Sequence, residues 1–292
     1  MKNRNYIWLI CLIIIIAVVS VYFLRLPNNQ NNNVTFSIDS VPTFNGDPYV
    51  VVNDNIPTFS EDSITDNSFE FYSELDELNR CGYALACVGV DIMPTEERGS
   101  IGQVKPTGWQ TIKYDIVDGK YLYNRCHLIG YQLTGENANE CNLITGTRYL
   151  NVEGMLPFEN MVADYVKETG NHVMYRVTPV FLENDLVVRG VQIEALSVED
   201  GGYGISFNVY VYNNQPGIEI NYATGESTLT QNASGLDTTI KASYILNKRS
   251  KKFHLSACGQ VKNIKDENIS RYAGNREDLV ADGYVPASCC NP

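Results

Sequence analysis

Histidine is scarce in this chain, which has 292 residues and only His127, His172 and His254. Basic residues are also in the minority, because 22 lysines and arginines face 34 aspartates and glutamates and leave a formal net charge of −12 at pH 7. This balance excludes binding of nucleic acid by simple attraction to the whole surface. The few histidines leave few groups that can exchange a proton near pH 7, since the unperturbed imidazole pKa is about 6.5.

The basic residues are also unevenly distributed along the chain. Residues 26–240 contain 10 Lys/Arg and 29 Asp/Glu, whereas residues 241–292 contain 9 Lys/Arg and 5 Asp/Glu. The tail, which includes Lys248-Arg249 and Lys251-Lys252, could therefore supply non-specific attraction to phosphate. A solvated charged surface with no partner is the alternative interpretation.

The N-terminal segment lacks charge over residues 6–24, which is long enough for a membrane-spanning helix. Lys2 and Arg4 precede it and favour a cytoplasmic N-terminus, and no small-residue cleavage site follows it. We expect a signal anchor over residues 1–27, with the rest of the chain outside the cell membrane. A cleaved signal peptide, and hence a secreted protein, is the alternative. Residues 28–67 begin with an asparagine-rich run and are expected to be a polar linker.

Eight cysteines are present, and one of them, Cys11, falls in the expected membrane span. Disulfides are permitted outside the cytoplasm. Four more lie in the centre of the chain and allow three full pairings, among which sequence cannot choose. Free buried thiols remain the alternative. The central four are Cys81, Cys87, Cys126 and Cys141.

Residues 124–151 combine three kinds of chemistry in a short stretch. The run Asn124-Arg125-Cys126-His127 offers an imidazole that can accept a proton and an arginine whose planar fork fits phosphate oxygens. The run 142–148, Asn-Leu-Ile-Thr-Gly-Thr-Arg, and then Asn151 add amide oxygens that suit Mg²⁺. A base, a phosphate contact and a metal ligand together predict hydrolysis of phosphodiesters.

The flanking sequence predicts where this motif lies in the fold. Trp109–Ile116 alternates like a strand, Asp118-Gly119 is a hairpin signal and residues 120–123 return as its partner. Residues 157–167 repeat apolar side chains with helical spacing, from Pro157 to a stop at Gly170. Three strands are then expected, in an α+β fold with a central antiparallel sheet, at residues 172–181, 186–196 and 205–212.

The motif resembles that of the DNA/RNA non-specific endonuclease family of ββα-metal nucleases, in particular the membrane-anchored DNA-entry nucleases. The family motif Asp-Arg-Gly-His stands here as residues 124–127, and the resemblance covers about residues 68–230. It implies a ββα-metal core and Mg²⁺ as cofactor, with Mn²⁺ as an alternative. Asn124 and Cys126 replace the motif's aspartate and glycine, which puts the geometry of that loop in question.

The resemblance also implies a role for individual residues. His127 is the candidate general base, and Asn151, placed on a helix, is the candidate Mg²⁺ ligand. Glu159 matches the acidic residue that orients metal-bound water, and Asn142 matches a second asparagine that supports the site. The candidate phosphate or substrate contacts are Arg125 and Arg148. The turn-rich segment 96–106 receives no chemical role.

The C-terminal piece resembles the zinc-binding domain of the Ada DNA-repair protein. After a linker at 231–243, the module at 244–292 places His254 and Cys258 at the first ligand pair, and Cys290 in register for the second. Ala287 stands where another ligand is expected, and Cys289 adjoins Cys290. Zn²⁺ is thus a tentative cofactor, and a metal-free module is the alternative.

These features support a surface-anchored, Mg²⁺-dependent endonuclease that cuts DNA, and RNA as well, with the membrane contacted through residues 6–24. The alternative function is a non-catalytic DNA receptor at the cell surface. In that case the nuclease fold is degenerate, and the basic tail binds the DNA. Retention of His127, Asn151 and Glu159 favours the enzyme.

Overall fold

The structure is a computed structural model that describes residues 36–230, 242–274, 276–287 and 289–290. The residues from Phe36 onward pack as one compact unit. The expected anchor at 1–27 and most of the expected linker at 231–243 lie outside the described residues. Across the ranges that are described, no helix is both long and apolar enough to cross a bilayer.

Strands dominate the described part of the chain, and helices are few. The strands are β1 Tyr49–Val51, β2 Phe69–Tyr72, β3 Ala84–Val88, β4 Tyr123–His127, β5 Leu143–Thr147, β6 Val173–Val180, β7 Gly190–Ser197, β8 Ser206–Tyr212, β9 Ile218–Ile220, β10 Ser227–Leu229, β11 Ala242–Asn247, β12 Lys252–Leu255, β13 Ile269–Gly274 and β14 Val285–Pro286. The α-helices are α1 Tyr131–Thr134, α2 Leu156–Thr169 and α3 Arg276–Ala281, with a π-helix at Leu150–Met155. Short 3₁₀ turns lie at Ile38–Ser40, Asn53–Asn55, Glu61–Ser63, Val90–Ile92, Glu140–Asn142, Gly259–Asn263 and Asp266–Asn268.

A six-stranded antiparallel sheet forms the centre of the fold, in the order β1-β8-β7-β6-β3-β2. The expected antiparallel sheet is thus confirmed, and β6 and β8 agree closely with the expected strands. β7 begins at Gly190 rather than at Leu186, because the N–H groups of Leu186 and Val187 donate to the carbonyl of Tyr222 in a loop.

The strand that carries the motif has a different partner from the one expected. β4 pairs with β5, with Tyr123 opposite Thr147 and His127 opposite Leu143. The expected regular strand at 109–116 is wrong. Its contacts with the returning segment are the isolated bridge between Lys113 and Tyr121 and the hydrogen bonds from the Tyr114 N–H to Lys120 and from the Leu122 N–H to Ile112. The turn at Asp118-Gly119 does form, with Gly119 in the left-handed region at φ 68°.

Helix α2 confirms the amphipathic pattern. Pro157 lies in its first turn, and Gly170 ends it in the left-handed conformation at φ 73°. Its buried face packs on the sheet, where the ring centroids of Phe158 and Phe207 are 5.0 Å apart. The π-helix runs directly into α2, so Asn151 and Glu159 belong to one continuous helical segment, as the family resemblance implied for Asn151.

The tail forms its own four-stranded sheet, β13-β11-β12-β14, in which β12 and β14 are parallel. Its apolar side chains, among them Leu246 and Phe253, join the same buried core as those of the central sheet. β1, which lies within the stretch expected to be a linker, is the edge strand beside β8 and also contacts the tail. The Tyr49 hydroxyl accepts a 3.1 Å hydrogen bond from the N–H of Ser256.

Candidate active site

A cavity of about 570 Å³ lies where β4, the π-helix and the start of α2 meet. The β4–β5 ladder delivers one wall, and the helical segment delivers the other. Five of the expected site residues line this cavity together, and they are His127, Arg125, Arg148, Asn151 and Glu159. The sequence therefore predicted most of one contiguous site.

His127 ends β4 and is buried, with 6% of its surface exposed. Its Nε2 lies 2.7 Å from the backbone carbonyl of Asn137 and donates to it, since a carbonyl can only accept. Nδ1 is then the acceptor nitrogen of the neutral ring, and it accepts a hydrogen bond of 3.3 Å from Nη2 of Arg98. Burial lowers the pKa of His127 to about 4, the Asn137 carbonyl opposes the shift, and Arg98 adds to it. The ring is thus neutral at pH 7.

Asn142 supports this strand end from behind and does not reach the cavity. It is fully buried, its Oδ1 accepts from the N–H of Ile129 at 2.9 Å, and its Nδ2 donates to the Ile129 carbonyl at 3.0 Å. These two hydrogen bonds fix the backbone of Ile129, between His127 and Gly130. The supporting role expected for Asn142 is consistent with these contacts.

Glu159 lies half-buried in the cavity, directly against Gly130. A Cβ added to Gly130 would lie 2.5 Å from Glu159 Oε2, so the carboxylate position requires a glycine there. Burial raises the pKa of Glu159 to about 7, against the opposing effects of Gln132 and Arg98. Gly130 was not identified from the sequence, and no local pattern distinguishes it from an ordinary turn glycine.

Arg125 and Arg148 reach the cavity with part of their donors already used. Arg125 donates from Nε to the carbonyl of Val104 and from Nη2 to that of Gly102 at 2.9 Å, and it stacks over Trp109 at 4.0 Å. It therefore fastens segment 96–106 to the site. Arg148 makes an ion pair with Asp118 at 2.8 Å.

Arg98 is a site residue that sequence reasoning missed. It lies in segment 96–106, lines the cavity and comes closest to the acceptor nitrogen of His127. The segment is also held by Tyr131, whose hydroxyl donates to the carbonyl of Glu96 at 2.9 Å. The only available signal was that basic residues are rare in the acidic part of the chain, which makes each of them informative.

Cys126 and Asn124 are the two residues that depart from the family motif, and they differ in their contacts. Cys126 is a fully buried thiol whose sulfur lies against Gly146, where a Cβ would overlap it. A larger residue in β4 is thus matched by a glycine in β5. Asn124 lines the cavity, and its Nδ2 is buried without a hydrogen-bond partner in the described part of the chain. All the described cysteines are free thiols, so no disulfide stiffens the His127 strand in this structure.

A second cluster of metal-ligating side chains lies in the tail. His254 Nδ1 and the sulfurs of Cys258, Cys289 and Cys290 all lie within 4.8 Å of one another. The Cys258 and Cys289 sulfurs are 3.4 Å apart, and Cys289 lies 3.4 Å from His254 Nδ1. Cys289, which the sequence analysis left outside the expected ligand set, belongs to the cluster, whereas Ala287 is buried nearby as a core residue.

Solved structures similar to this chain are nucleases. NucA from Streptococcus agalactiae with a magnesium ion bound is 27% identical, with a TM-score of 0.58 over 68% of this chain and 94% of that one. The Sda1 nuclease with a bound zinc ion is 26% identical, with a TM-score of 0.55 over 67% of this chain and all of that one. The fold and the site thus define this protein as a nuclease enzyme.

The family follows from the sequence match. Residues 60–199 match the family model of the DNA/RNA non-specific endonucleases. The match confirms the family resemblance predicted from the 124–151 region, and it gives the chain a DNA/RNA non-specific endonuclease domain over these residues. Its substrate class is nucleic acid.

Proposed function

We propose that this protein is a Mg²⁺-dependent endonuclease that hydrolyses phosphodiester bonds in both DNA and RNA. The observation that carries the proposal is the placement of the acceptor nitrogen of His127 in the cavity that also contains Asn151 and Glu159. The proton acceptor lies on the strand wall, and the two oxygen donors lie on the helical wall opposite it. A phosphate fits between the two walls.

The residues of the cavity fit a divalent cation. Within the ranges that the structure describes, Glu159 has no ion pair, and burial raises its pKa, so a cation beside it would stabilise the charged carboxylate. Asn151 offers a neutral amide oxygen on the adjoining turn. Mg²⁺ accepts so few protein ligands because it keeps several of its waters, and Mn²⁺ fits the same oxygen donors.

The reaction can be derived from the chain's own groups. His127 Nδ1, which accepts a hydrogen bond from Arg98 in this structure, takes the proton from an attacking water once Arg98 turns to the phosphate. The Nε2–H of His127 remains on the Asn137 carbonyl and holds the ring in place. Arg98, next to Nδ1, is positioned to donate to the non-bridging oxygens of the phosphate. A bound Mg²⁺ would stabilise the charge that develops on the phosphate and on the leaving oxygen. None of these contacts reads a base, which agrees with cleavage of both nucleic acids.

Plasmid and RNA cleavage by the full-length chain tests this proposal, with Mg²⁺ and with excess EDTA. His127→Ala should lower the rate by about 10²–10⁴-fold because the general base is lost. His172→Ala is the matched control, since His172 pairs with Glu199 at 2.6 Å outside the cavity. Cleavage that persists in excess chelator would exclude the metal. DNA binding without cleavage by the wild type would favour the receptor function instead.

We also propose that the protein works outside the cell, anchored through residues 6–24. This proposal rests on the uncharged run after Lys2 and Arg4. Protease treatment of intact cells should remove the nuclease and leave a small membrane-bound fragment. Recovery of all activity in the culture medium would instead indicate that the segment is cleaved.

The tail cluster supports a third proposal, a structural Zn²⁺ site formed by His254, Cys258, Cys289 and Cys290. Four such ligands are the set that structural zinc sites use, and separations of 3.4 to 3.9 Å between ligand atoms suit a tetrahedron with Zn–S bonds of about 2.3 Å. Because the tail shares the buried core with the central sheet, the ion would stabilise the whole unit.

A further inference from the structure

A second cavity, which we term the tail cleft, opens beside the catalytic cavity. Its volume is about 410 Å³, within the range of roughly 300–1,000 Å³ that is usual for pockets that hold organic ligands. Leu156, the first residue of α2, lines both cavities and is 37% exposed. The two cavities are thus neighbours on either side of one side chain, and Val152 and Glu153 of the tail cleft directly follow Asn151 in the chain.

The two walls of the tail cleft come from different parts of the chain. The apolar floor is formed by β1 and the π-helix, with Val50, Val51 and Val152. The other wall belongs to the tail and includes Leu255 and Arg271. Arg271 is exposed, and its guanidinium has no hydrogen bond or ion pair to any described residue. Among the described residues it is therefore an unpaired cation.

We propose that the tail cleft is a nucleotide subsite for the strand that enters the catalytic cavity, with one unpaired base on its apolar floor and a phosphate on Arg271. The proposal rests on the nuclease function proposed above. A base has a flat apolar face that suits valine and leucine side chains, and a guanidinium pairs well with phosphate oxygens. The same strand can occupy both cavities because they meet at Leu156.

Two acidic residues among the lining determine how the strand would lie. Asp47 and Glu153 line the cleft, and carboxylates repel phosphates. The phosphate must therefore pair with Arg271 and avoid both carboxylates. A base can enter the floor only if it leaves its stack, which is least costly in a single strand. The subsite should thus favour single-stranded over duplex nucleic acid.

Binding measurements on the full-length chain test the subsite. A fluorescent single-stranded oligonucleotide of about 20 nucleotides and its duplex are titrated in a His127→Ala background with Mg²⁺, over a series of salt concentrations. Arg271→Ala should weaken single-strand binding about threefold to tenfold and make the slope of log K against log salt shallower by about 0.7, as expected for one lost phosphate contact. Val51→Trp, which fills the floor, should weaken single-strand binding and leave the salt slope unchanged. Lys167→Ala is the matched control, because Lys167 is exposed in the last turn of α2 and lines neither cavity.

Hydrolysis of a small diester, bis(p-nitrophenyl) phosphate, separates this proposal from the proposed function. Arg271→Ala with His127 intact should cleave the small diester at the wild-type rate. If Arg271→Ala matches Lys167→Ala in affinity and salt slope, or if duplex binding weakens as much as single-strand binding, the subsite is wrong. If the wild type cleaves neither the small diester nor nucleic acid but oligonucleotide binding still depends on Arg271, the nuclease function fails and the subsite stands.

Discussion

The ring of His127 and the backbone carbonyl of Asn137 are joined by a hydrogen bond of 2.7 Å. This bond fixes the tautomer, because the nitrogen that donates to the carbonyl must carry the hydrogen. Nδ1 is then the only nitrogen that can accept a proton from water. A backbone partner suits this purpose, since its position depends on the loop before β5 and not on a side chain that could itself titrate.

The pH profile of turnover should show a general base with a low pKa. Burial lowers the pKa of His127 to about 4, so the neutral, proton-accepting form persists well below pH 6.5. With saturating Mg²⁺, kcat for a small diester should fall only as pH drops towards about 4. The measurement is kcat across the acid range, and a midpoint near the ordinary imidazole value would contradict it.

Metal affinity should depend on pH in a different range. Burial raises the pKa of the Glu159 carboxyl to about 7, so in the metal-free protein it gains a proton as pH falls through neutrality. A protonated carboxyl opposes a nearby cation, hence the Mg²⁺ concentration for half-maximal rate should rise below about pH 7 while kcat changes little. In Glu159→Gln this pH dependence should disappear. If the Mg²⁺ requirement of Glu159→Gln still changed with pH, a group other than Glu159 would be responsible.

The sequence predicted the parts of the site that local patterns carry. The helical periodicity after Pro157 placed Glu159 on the first turn of α2, whereas the family resemblance and not a local pattern placed Asn151 on a helix. An amphipathic spacing predicts a helix well because the apolar face of the helix must be buried against another element. These residues line one cavity, as expected.

What the sequence did not predict depends on contacts between distant segments. β4 pairs with β5 and not with the segment that precedes it. The alternating pattern of residues 109–116 gives no sign that Trp109 stacks on Arg125. Arg98 reaches His127 across a loop, which local spacing cannot reveal. Cys289 joins the tail cluster because the chain turns at its end, although adjacent ligands looked unfavourable in the sequence.

Gly130→Ala should impair catalysis while the rest of the fold remains. A methyl group there would lie 2.5 Å from the Glu159 carboxylate and must displace it. We expect a higher Mg²⁺ requirement and a fall in rate of about tenfold or more, because small displacements of a catalytic group are costly. Gly102→Ala is the control, since Gly102 has no positive φ and its added Cβ would meet nothing closer than 3.8 Å. Equal rates in the two variants would show that the Glu159 position is not critical.

Arg98 and Arg125 should differ in what their loss affects. Arg98→Ala should lower kcat by about 10²–10³-fold if its guanidinium stabilises the phosphate, with little change in melting temperature. Arg125→Ala should lower the melting temperature as well, because it removes two bonds to carbonyls and the stacking on Trp109. Melting curves and rates measured on the same preparations test the difference. A melting temperature lowered equally in both variants would make Arg98 a structural residue.

Removal of zinc should destabilise the whole unit and not the tail alone. The ligands His254, Cys258, Cys289 and Cys290 lie beside Phe253 and Leu255, which belong to the same buried core as the central sheet. If the folded state binds the ion well above its dissociation constant, a strong chelator should lower the melting temperature by about 5–10 °C. Cys289→Ala should reduce the zinc content, measured by atomic absorption. Cys141→Ser, outside the cluster, should retain about one zinc per chain, as expected for a single closed site. If the wild type, purified with added Zn²⁺, contained none and melted the same with and without chelator, the four side chains would be a cluster of free thiols and a histidine.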